Sequence, residues 1–153
     1  MVIDLLVNDQ KLIYKIAKMN YEEFVLGVHT KFSFNDVLQI HSNTFDYRIP
    51  LTLVALENQD CLGSVSIFEN DLDIREEYTP WLASLCVKKD RRNEGIGLKL
   101  VAAAISKAKE LGFDELYLRT ETASNYYRKI GWSYIETVSD EIHEKIDIFK
   151  IKL

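Results

Sequence analysis

Residues 87 to 98 read Val87-Lys88-Lys89-Asp90-Arg91-Arg92-Asn93-Glu94-Gly95-Ile96-Gly97-Leu98, a charged turn and two glycines between an apolar strand and an amphipathic helix. The start of a helix leaves several backbone N–H groups without an intrahelical partner and carries the positive end of the helix dipole. An anion placed there gains hydrogen bonds and favourable charge together. Gly95 and Gly97 have no Cβ to hold the anion away from the backbone. The stretch therefore predicts a phosphate-binding turn.

The spacing of the glycines distinguishes between the known kinds of phosphate-binding turn. A dinucleotide-binding turn requires G-x-G-x-x-G and an acidic residue about 20 positions later, but the third glycine position here is Leu100. A triphosphate-binding loop requires G-x-x-x-x-G-K-S/T, and the sequence contains no such run. The remaining pattern is R-x-x-G-x-G, formed by Arg92, Gly95 and Gly97 behind a strand that ends at Val87.

Length, composition and charge restrict the class of protein. With 153 residues, of which 47% are hydrophobic, the chain has the size and core content of one domain, which we expect to span residues 1–153. The apolar run at the N-terminus is too short for a membrane span or a signal core, so we expect a cytoplasmic protein and no membrane partner. The net charge of −5 disfavours a nucleic-acid partner.

The cysteines and histidines offer little chemistry. Cys61 and Cys86 both lie in predicted strands, where a free cysteine usually behaves as a small buried hydrophobe. His29, His41 and His143 have no ligand spacing, so the sequence predicts no metal site.

Hydrophobic periodicity predicts the order β-α-α-β-β-β-α-β-α-β-β. The predicted strands are Val2 to Val7, Leu51 to Glu57, Leu62 to Phe68, Trp81 to Val87, Glu115 to Thr120, Trp132 to Val138 and Ile146 to Leu153. The predicted helices are one capped by Asn8 or Asp9, one from Phe34 to Ser42 capped by Ser33, a long one from Ile96 to Leu111, and one from Ala123 to Ile130.

The R-x-x-G-x-G turn resembles the Q/R-x-x-G-x-G/A turn on which the GNAT superfamily of N-acetyltransferases binds the pyrophosphate of acetyl-CoA. The match extends beyond the turn. The segment from Pro80 to Val87 is similar to the fourth strand of that superfamily, and the segment from Ala123 to Trp132 is similar to its A-x-x-x-Y-x-x-x-G-F/W motif. The resemblance implies a single-domain α/β fold of mixed α+β type, with a mixed, mostly antiparallel sheet flanked by helices.

The resemblance also implies a reaction. We expect an acetyl-CoA-dependent N-acetyltransferase that transfers an acetyl group to a primary amine of a small molecule or protein by direct attack on the thioester. Acetyl-CoA is then the acetyl donor, no metal takes part, and a homodimer is possible. The alternative is an inactive coenzyme A-binding sensor or interaction module, against which the retained Tyr127 argues. An acetyltransferase toxin acting on charged transfer RNA is disfavoured by the acidic balance of the chain.

By the same resemblance, backbone groups hold most of the donor. Those expected to pair with the pantetheine amides belong to Leu85, Cys86 and Val87. Those expected to hold the pyrophosphate are the N–H groups of Asn93, Glu94, Gly95, Ile96, Gly97 and Leu98. Arg92 is expected to order the turn or to contact phosphate, and Thr120 to contact the pantetheine arm through its hydroxyl.

Tyr127 occupies the position of the family tyrosine that donates a proton to the departing sulfur. A phenol has an ordinary pKa of about 10, so it is protonated at neutral pH and able to donate. Tyr126 is the rival, but successive helical side chains point about 100° apart and only one can face the thioester.

Two positions depart from the family pattern. Thr120 stands where many members carry asparagine, and Arg119 stands where some carry a glutamate general base. No base can therefore be carried over by resemblance. The sequence leaves it open among a water relay and the carboxylates of Glu69, Asp71, Asp73 and Glu121.

Overall fold

The computed structural model describes residues 1–28 and 30–153; His29 lies outside the described residues. The strands are β1 (Val2–Leu5), β2 (Leu51–Glu57), β3 (Asp60–Phe68), β4 (Trp81–Val87), β5 (Glu115–Thr120), β6 (Ser133–Val138) and β7 (Ile146–Lys152). The helices are α1 (Gln10–Phe24), α2 (Phe34–Ser42), α3 (Ile96–Glu110) and α4 (Ser124–Lys129), and short 3-10 turns occupy Asp73–Arg75 and Lys89–Arg91.

Local chemistry fixes the starts of the first two helices. Of the two candidate caps for α1, Asp9 is the one used, because its carboxylate accepts hydrogen bonds from the N–H groups of Lys11 and Leu12. Ser33 caps α2 and forms a reciprocal capping box with Asp36. Among the described residues, no helix combines the length and the apolar character that crossing a bilayer requires.

The strands form one seven-stranded sheet in the order β1-β2-β3-β4-β5-β7-β6. All neighbouring pairs are antiparallel except β4 with β5, which is parallel. The mixed, mostly antiparallel sheet flanked by helices confirms the expected fold class.

Helices cover both faces of the sheet. On one face, α3 and Tyr127 of α4 pack over the largest hydrophobic cluster, which includes Leu100, Leu116 and Phe149. On the opposite face, α1 covers a second cluster around Ile16. A third cluster, built around the fully buried Trp81, lies on β4, β5 and β7.

Strands β4 and β5 separate soon after they meet. Their register consists of one pair, Trp81 opposite Tyr117. Beyond it, β4 continues to pair with β3, but the register shifts and Ser84 adopts a φ of 54°. Such a bulge bends a strand and increases its twist. The carboxyl-terminal half of β4 therefore has a backbone edge facing a gap instead of a neighbouring strand.

Gly63 permits the close packing of β3 against the end of β4. A Cβ at this position would lie 2.6 Å from the carbonyl oxygen of Cys86 and 3.2 Å from both Val87 Cα and Leu100 Cδ1. The backbone of β4 and the first turns of α3 are thereby held in contact with β3.

We expect Gly63→Ala to lower the free energy of unfolding by about 1–3 kcal/mol, because the added methyl group would force backbone apart. Gly97→Ala is the matched control, since its Cβ would meet only Val87 Cγ2, at 3.7 Å. The control should be as stable as the wild type or slightly more stable, because alanine is the better helix former. Denaturant unfolding of the three proteins measures the difference, and equal stability of all three would contradict the packing role of Gly63.

Candidate functional site

The gap between β4 and β5 opens towards the N-terminus of α3. The chain leaves β4 at Val87, passes through the turn Lys89–Arg91 and enters α3 at Ile96. Gly95 is the N-cap residue, with a φ of 82° and no side chain to cap the helix. The first N–H that bonds back to the turn is that of Lys99, which donates to the carbonyl oxygen of Gly95 at 3.1 Å. Among the described residues, the N–H groups from Asn93 to Leu98 have no protein acceptor.

The two glycines of this turn serve different purposes. Gly95 has a left-handed backbone conformation that other residues adopt only at a cost. Gly97 is helical, and a Cβ there would make only an ordinary contact with Val87. The protein itself therefore does not require glycine at position 97. The absence of a Cβ at Gly97 leaves the neighbouring unpartnered N–H groups uncovered on that side.

Arg92 attaches the turn to the rest of the molecule. Its Nε donates to the carbonyl oxygen of Val87 at 3.1 Å, and its Nη2 contacts Glu23 of α1 at 3.0 Å. Arg91 is held similarly, by Glu57 at 2.7 Å and Glu94 at 3.0 Å. These bonds hold the turn in its conformation while leaving its N–H groups unused.

The three β4 residues expected at the pantetheine differ in side-chain environment. Leu85 and Val87 pack against the cluster on the α3 face. Cys86 is buried, with its thiol 3.9 Å from the carbonyl oxygen of Met19 in α1. Burial raises the pKa of this thiol to about 12, so it is not a thiolate nucleophile at neutral pH. Cys61 is also buried, as predicted.

Tyr127 and Tyr126 have different environments. Tyr127 is 8% exposed and packs against Trp132 and Phe149, with ring centroids 6.1 and 6.3 Å away. Tyr126 is 39% exposed. Burial raises the pKa of Tyr127 to about 12, so its phenol remains protonated through the physiological range. The protonated phenol lies on the α3 face of the sheet.

Thr120 connects the end of β5 to α4. Its hydroxyl oxygen accepts a hydrogen bond from the N–H of Ala123 at 2.9 Å, which satisfies a backbone group at the start of α4. Among the described residues the hydroxyl hydrogen has no acceptor, so it can be donated to a ligand. Thr120 therefore also helps to position the start of α4, the helix that carries Tyr127.

Asp147 provides a second polar contact to α4, which the sequence did not predict. The buried Asp147 of β7 accepts hydrogen bonds from the hydroxyls of Ser124 and Thr137, the latter at 2.6 Å. These bonds hold the pKa of Asp147 below its ordinary value. A polar pocket of about 450 Å³ opens beside this network. No sequence pattern marks these residues, because they come from three separate elements.

Four charged or titratable side chains, the Arg119 cluster, meet on the sheet face opposite Tyr127. The cluster consists of Arg119, Glu121, Asp140 and His143. The sequence predicted no connection between Arg119 and Glu121 and no role for His143. Of the candidate bases, Asp71 and Glu121 lie at this cluster, whereas Glu69 and Asp73 are exposed and make no contact with Arg119 in the described structure. Among residues 1–28 and 30–153, no group of His, Cys, Asp and Glu is arranged to hold a metal ion.

The geometry combines four chemical features around one gap. Unpartnered N–H groups at the start of α3 can hold an anion, and the edge of β4 can pair with amides. A protonated phenol lies on one face of the sheet. Carboxylates lie on the other. This arrangement suits an acyl transfer in which an extended thioester donor occupies the gap.

Comparison with known proteins identifies the family. The model of the acetyltransferase (GNAT) family matches residues 13–132. A curated relative, N-alpha-acetyltransferase 30 of Schizosaccharomyces pombe (strain 972 / ATCC 24843), is 31% identical over 85 residues. That match covers 53% of this chain and 56% of the relative, so the chain spans about half the length of the curated protein it matches.

Solved structures share the fold over nearly the whole chain. An aminoglycoside 6'-N-acetyltransferase complexed with coenzyme A superposes with a TM-score of 0.77 at 15% identity, covering 99% of this chain and 97% of that one. A ribosomal-protein-alanine N-acetyltransferase from Brucella melitensis superposes with a TM-score of 0.73 at 18% identity, covering 100% of both chains. With the family model matching most of its length, this chain belongs to the acetyltransferase (GNAT) family, a family of enzymes.

Proposed function

We propose that this protein is an N-acetyltransferase, formed by residues 1–153 as one domain, that moves the acetyl group of acetyl-CoA to a primary amine of a small molecule or protein. The observation that carries the proposal is the open edge of β4 leading directly to the unpartnered N–H groups at the start of α3. Pantetheine presents amides and pyrophosphate presents anionic oxygens, in the order in which the chain offers their partners. Similar proteins support a primary amine as the acceptor: one is named as an aminoglycoside acetyltransferase, and others are named as an N-alpha-acetyltransferase and a ribosomal-protein-alanine N-acetyltransferase.

The donor would be held mainly by backbone. Leu85, Cys86 and Val87 would pair with the pantetheine amides, and the N–H groups from Asn93 to Leu98 would hold the pyrophosphate. Arg92 would keep the turn in place through Val87 and Glu23, because its guanidinium already bonds to both. Thr120 would offer its hydroxyl hydrogen to the pantetheine arm. When bound, the donor supplies a thioester whose carbonyl carbon accepts the amine.

Tyr127 would give its phenolic proton to the sulfur that leaves. Its raised pKa keeps the phenol protonated at neutral pH, so the proton is available when negative charge develops on the departing sulfur. Tyr126 is more exposed and lacks the packing on Phe149 that fixes Tyr127 on the α3 face. Packing therefore supports the selection of Tyr127 that its place in the family motif suggests.

The donor-binding part of the proposal is tested at Gly97. We expect Gly97→Glu to weaken acetyl-CoA binding, measured by calorimetry, by two or more orders of magnitude, because a carboxylate would project into the phosphate space. The protein should remain folded, since a Cβ at this position makes only an ordinary contact.

Gly97→Gln separates charge from bulk in the same experiment. It should weaken binding less than Gly97→Glu does, and the difference should shrink at high salt, where charge is screened. Unchanged acetyl-CoA affinity in Gly97→Glu would contradict the assignment of this turn to the pyrophosphate.

The catalytic part is tested at Tyr127, with a panel of primary amines and detection of acetylated product by mass spectrometry. Tyr127→Phe should lower kcat by about 10² to 10⁴, the usual contribution of one positioned acid, with little change in acetyl-CoA affinity. Tyr126→Phe is the matched control and should have a smaller effect. Equal effects of the two variants would overturn the assignment, and tight coenzyme A binding with no acetylated amine would support the inactive binding module instead.

A further inference from the structure

The loop between β3 and β4 crosses the sheet at the point where β4 and β5 separate. Its Leu72 packs in one cluster with Trp81 and Tyr117, the two residues that form the β4–β5 register pair. The preceding residue, Asp71, is partly buried there. Asp71 therefore lies at the start of the gap, on the face of the sheet opposite the one that carries Tyr127.

Arg119 fixes this position. It lies two residues after Tyr117 on β5, so strand alternation places both side chains on the same face. Its Nη1 donates to the backbone carbonyl oxygen of Asp71 at 3.3 Å. Its Nη2 contacts Glu121 at 2.7 Å and lies 3.8 Å from Asp140 in the β6–β7 loop. One guanidinium thus joins two loops and a strand at the edge of the gap.

The other carboxylates around Arg119 already have partners. Glu121 pairs with Arg119 and lies 3.7 Å from His143 Nε2. Asp140 accepts hydrogen bonds from the backbone N–H groups of Ile142 and His143 and contacts the His143 ring at 3.3 Å. On the loop itself, Asp73 accepts a hydrogen bond from the side chain of Asn70 at 3.1 Å. Each of these carboxylates thus already has at least one hydrogen-bonding or ionic partner in the protein.

The Asp71 carboxyl differs from all of them. Among the described residues, no side chain or N–H group bonds to either of its oxygens; Arg119 binds only its backbone carbonyl. Burial raises the pKa of Asp71 to about 7, and Glu121 and Asp73 add to the effect while Arg119 opposes it. A carboxyl with a pKa near the working pH is about half ionised and can take a proton and return it.

We propose that Asp71 is the general base that takes a proton from the acceptor amine. The inference rests on the proposed acetyl transfer, and it assigns the base that the sequence left open. An amine that enters from the Arg119 cluster would meet Asp71 at the start of the gap. Tyr127 would lie beyond the thioester, on the other face of the sheet.

The proton balance is complete with these two groups. An ammonium acceptor gives one proton to the Asp71 carboxylate, and the nitrogen lone pair that this frees forms a bond to the thioester carbonyl carbon. The C–S bond breaks, and the sulfur takes the phenolic proton of Tyr127. The nitrogen then loses a second proton, which returns through water to the tyrosinate, and Asp71 releases its own proton to solvent. The net products are an amide, a thiol and one proton.

The first test does not depend on the acceptor. With ¹³C-labelled aspartate, the carboxyl signal that disappears in Asp71→Asn should titrate near pH 7 in the free protein. A midpoint near the ordinary aspartate value of about 4 would overturn the proposal. The charged and titratable groups around this carboxyl are Arg119 of β5, Glu121 directly after that strand, Asp73 of the same loop, and His143 and Asp140 of the β6–β7 loop.

The second test uses the best acceptor from the amine panel. Asp71→Asn should lower kcat/KM by about 10² to 10⁴ and remove the limb near pH 7 from its pH profile, while acetyl-CoA affinity measured by calorimetry is unchanged. Asp71→Glu should recover part of the activity. Glu76→Gln, a change at an exposed carboxylate of the same loop, is the matched control and should behave as the wild type.

The outcomes distinguish a failure of the base assignment from a failure of the proposed acetyltransferase function on which it rests. If the wild-type protein fails to bind acetyl-CoA or acetylates no amine, the proposed function itself fails. If the wild type acetylates an amine and Asp71→Asn is equally active or keeps the same pH profile, only the base assignment is overturned. A loss of activity in Glu121→Gln that exceeds the loss in Asp71→Asn would likewise transfer the role to Glu121.

Discussion

The parallel pairing of Trp81 with Tyr117 joins β4 to β5, and the register between these strands ends with that pair. Both rings are buried in one cluster, so the two strands are held together by packing where their backbones meet. The bulge at Ser84 then bends β4 away. Backbone N–H and C=O groups that face a gap must bond to water or to a ligand. The candidate site is therefore a consequence of incomplete strand pairing.

The gap leads to the start of α3, where backbone N–H groups can bind an anion. The two arginines of the turn that follows Val87 are paired with Glu23, Glu57 and Glu94, so backbone N–H groups and the helix dipole supply much of the positive character that the turn offers. Such groups are fixed in direction before a ligand arrives and need no side-chain ordering. A chain with a net charge of −5 can in this way present a local anion site.

The sheet also separates Tyr127, the proposed acid, from Asp71, the proposed base. Alternation along β5 directs Leu118 into the α3 face and Arg119 into the opposite face. Tyr127 packs on the first face, and the Arg119 cluster gathers on the second, where it holds the loop that carries Asp71. The proposed acid and the proposed base therefore lie on opposite faces of the sheet.

The sequence alone determined the features that depend on neighbouring residues: the cap at Ser33, the glycines at 95 and 97, the apolar stripe of α3 and the order of the elements. These features follow from local backbone geometry and from hydrophobic periodicity, which depend only on residues close together in the sequence. The family resemblance already selected Tyr127 over Tyr126, and the tertiary structure adds a physical difference between them, because Tyr127 packs against Phe149 from β7. The tertiary structure alone brought Asp71 to Arg119, since the two residues belong to a loop and a strand with no common sequence pattern. The raised pKa of Asp71 likewise comes from burial, a property of the folded chain that the residue's position in the sequence does not reveal.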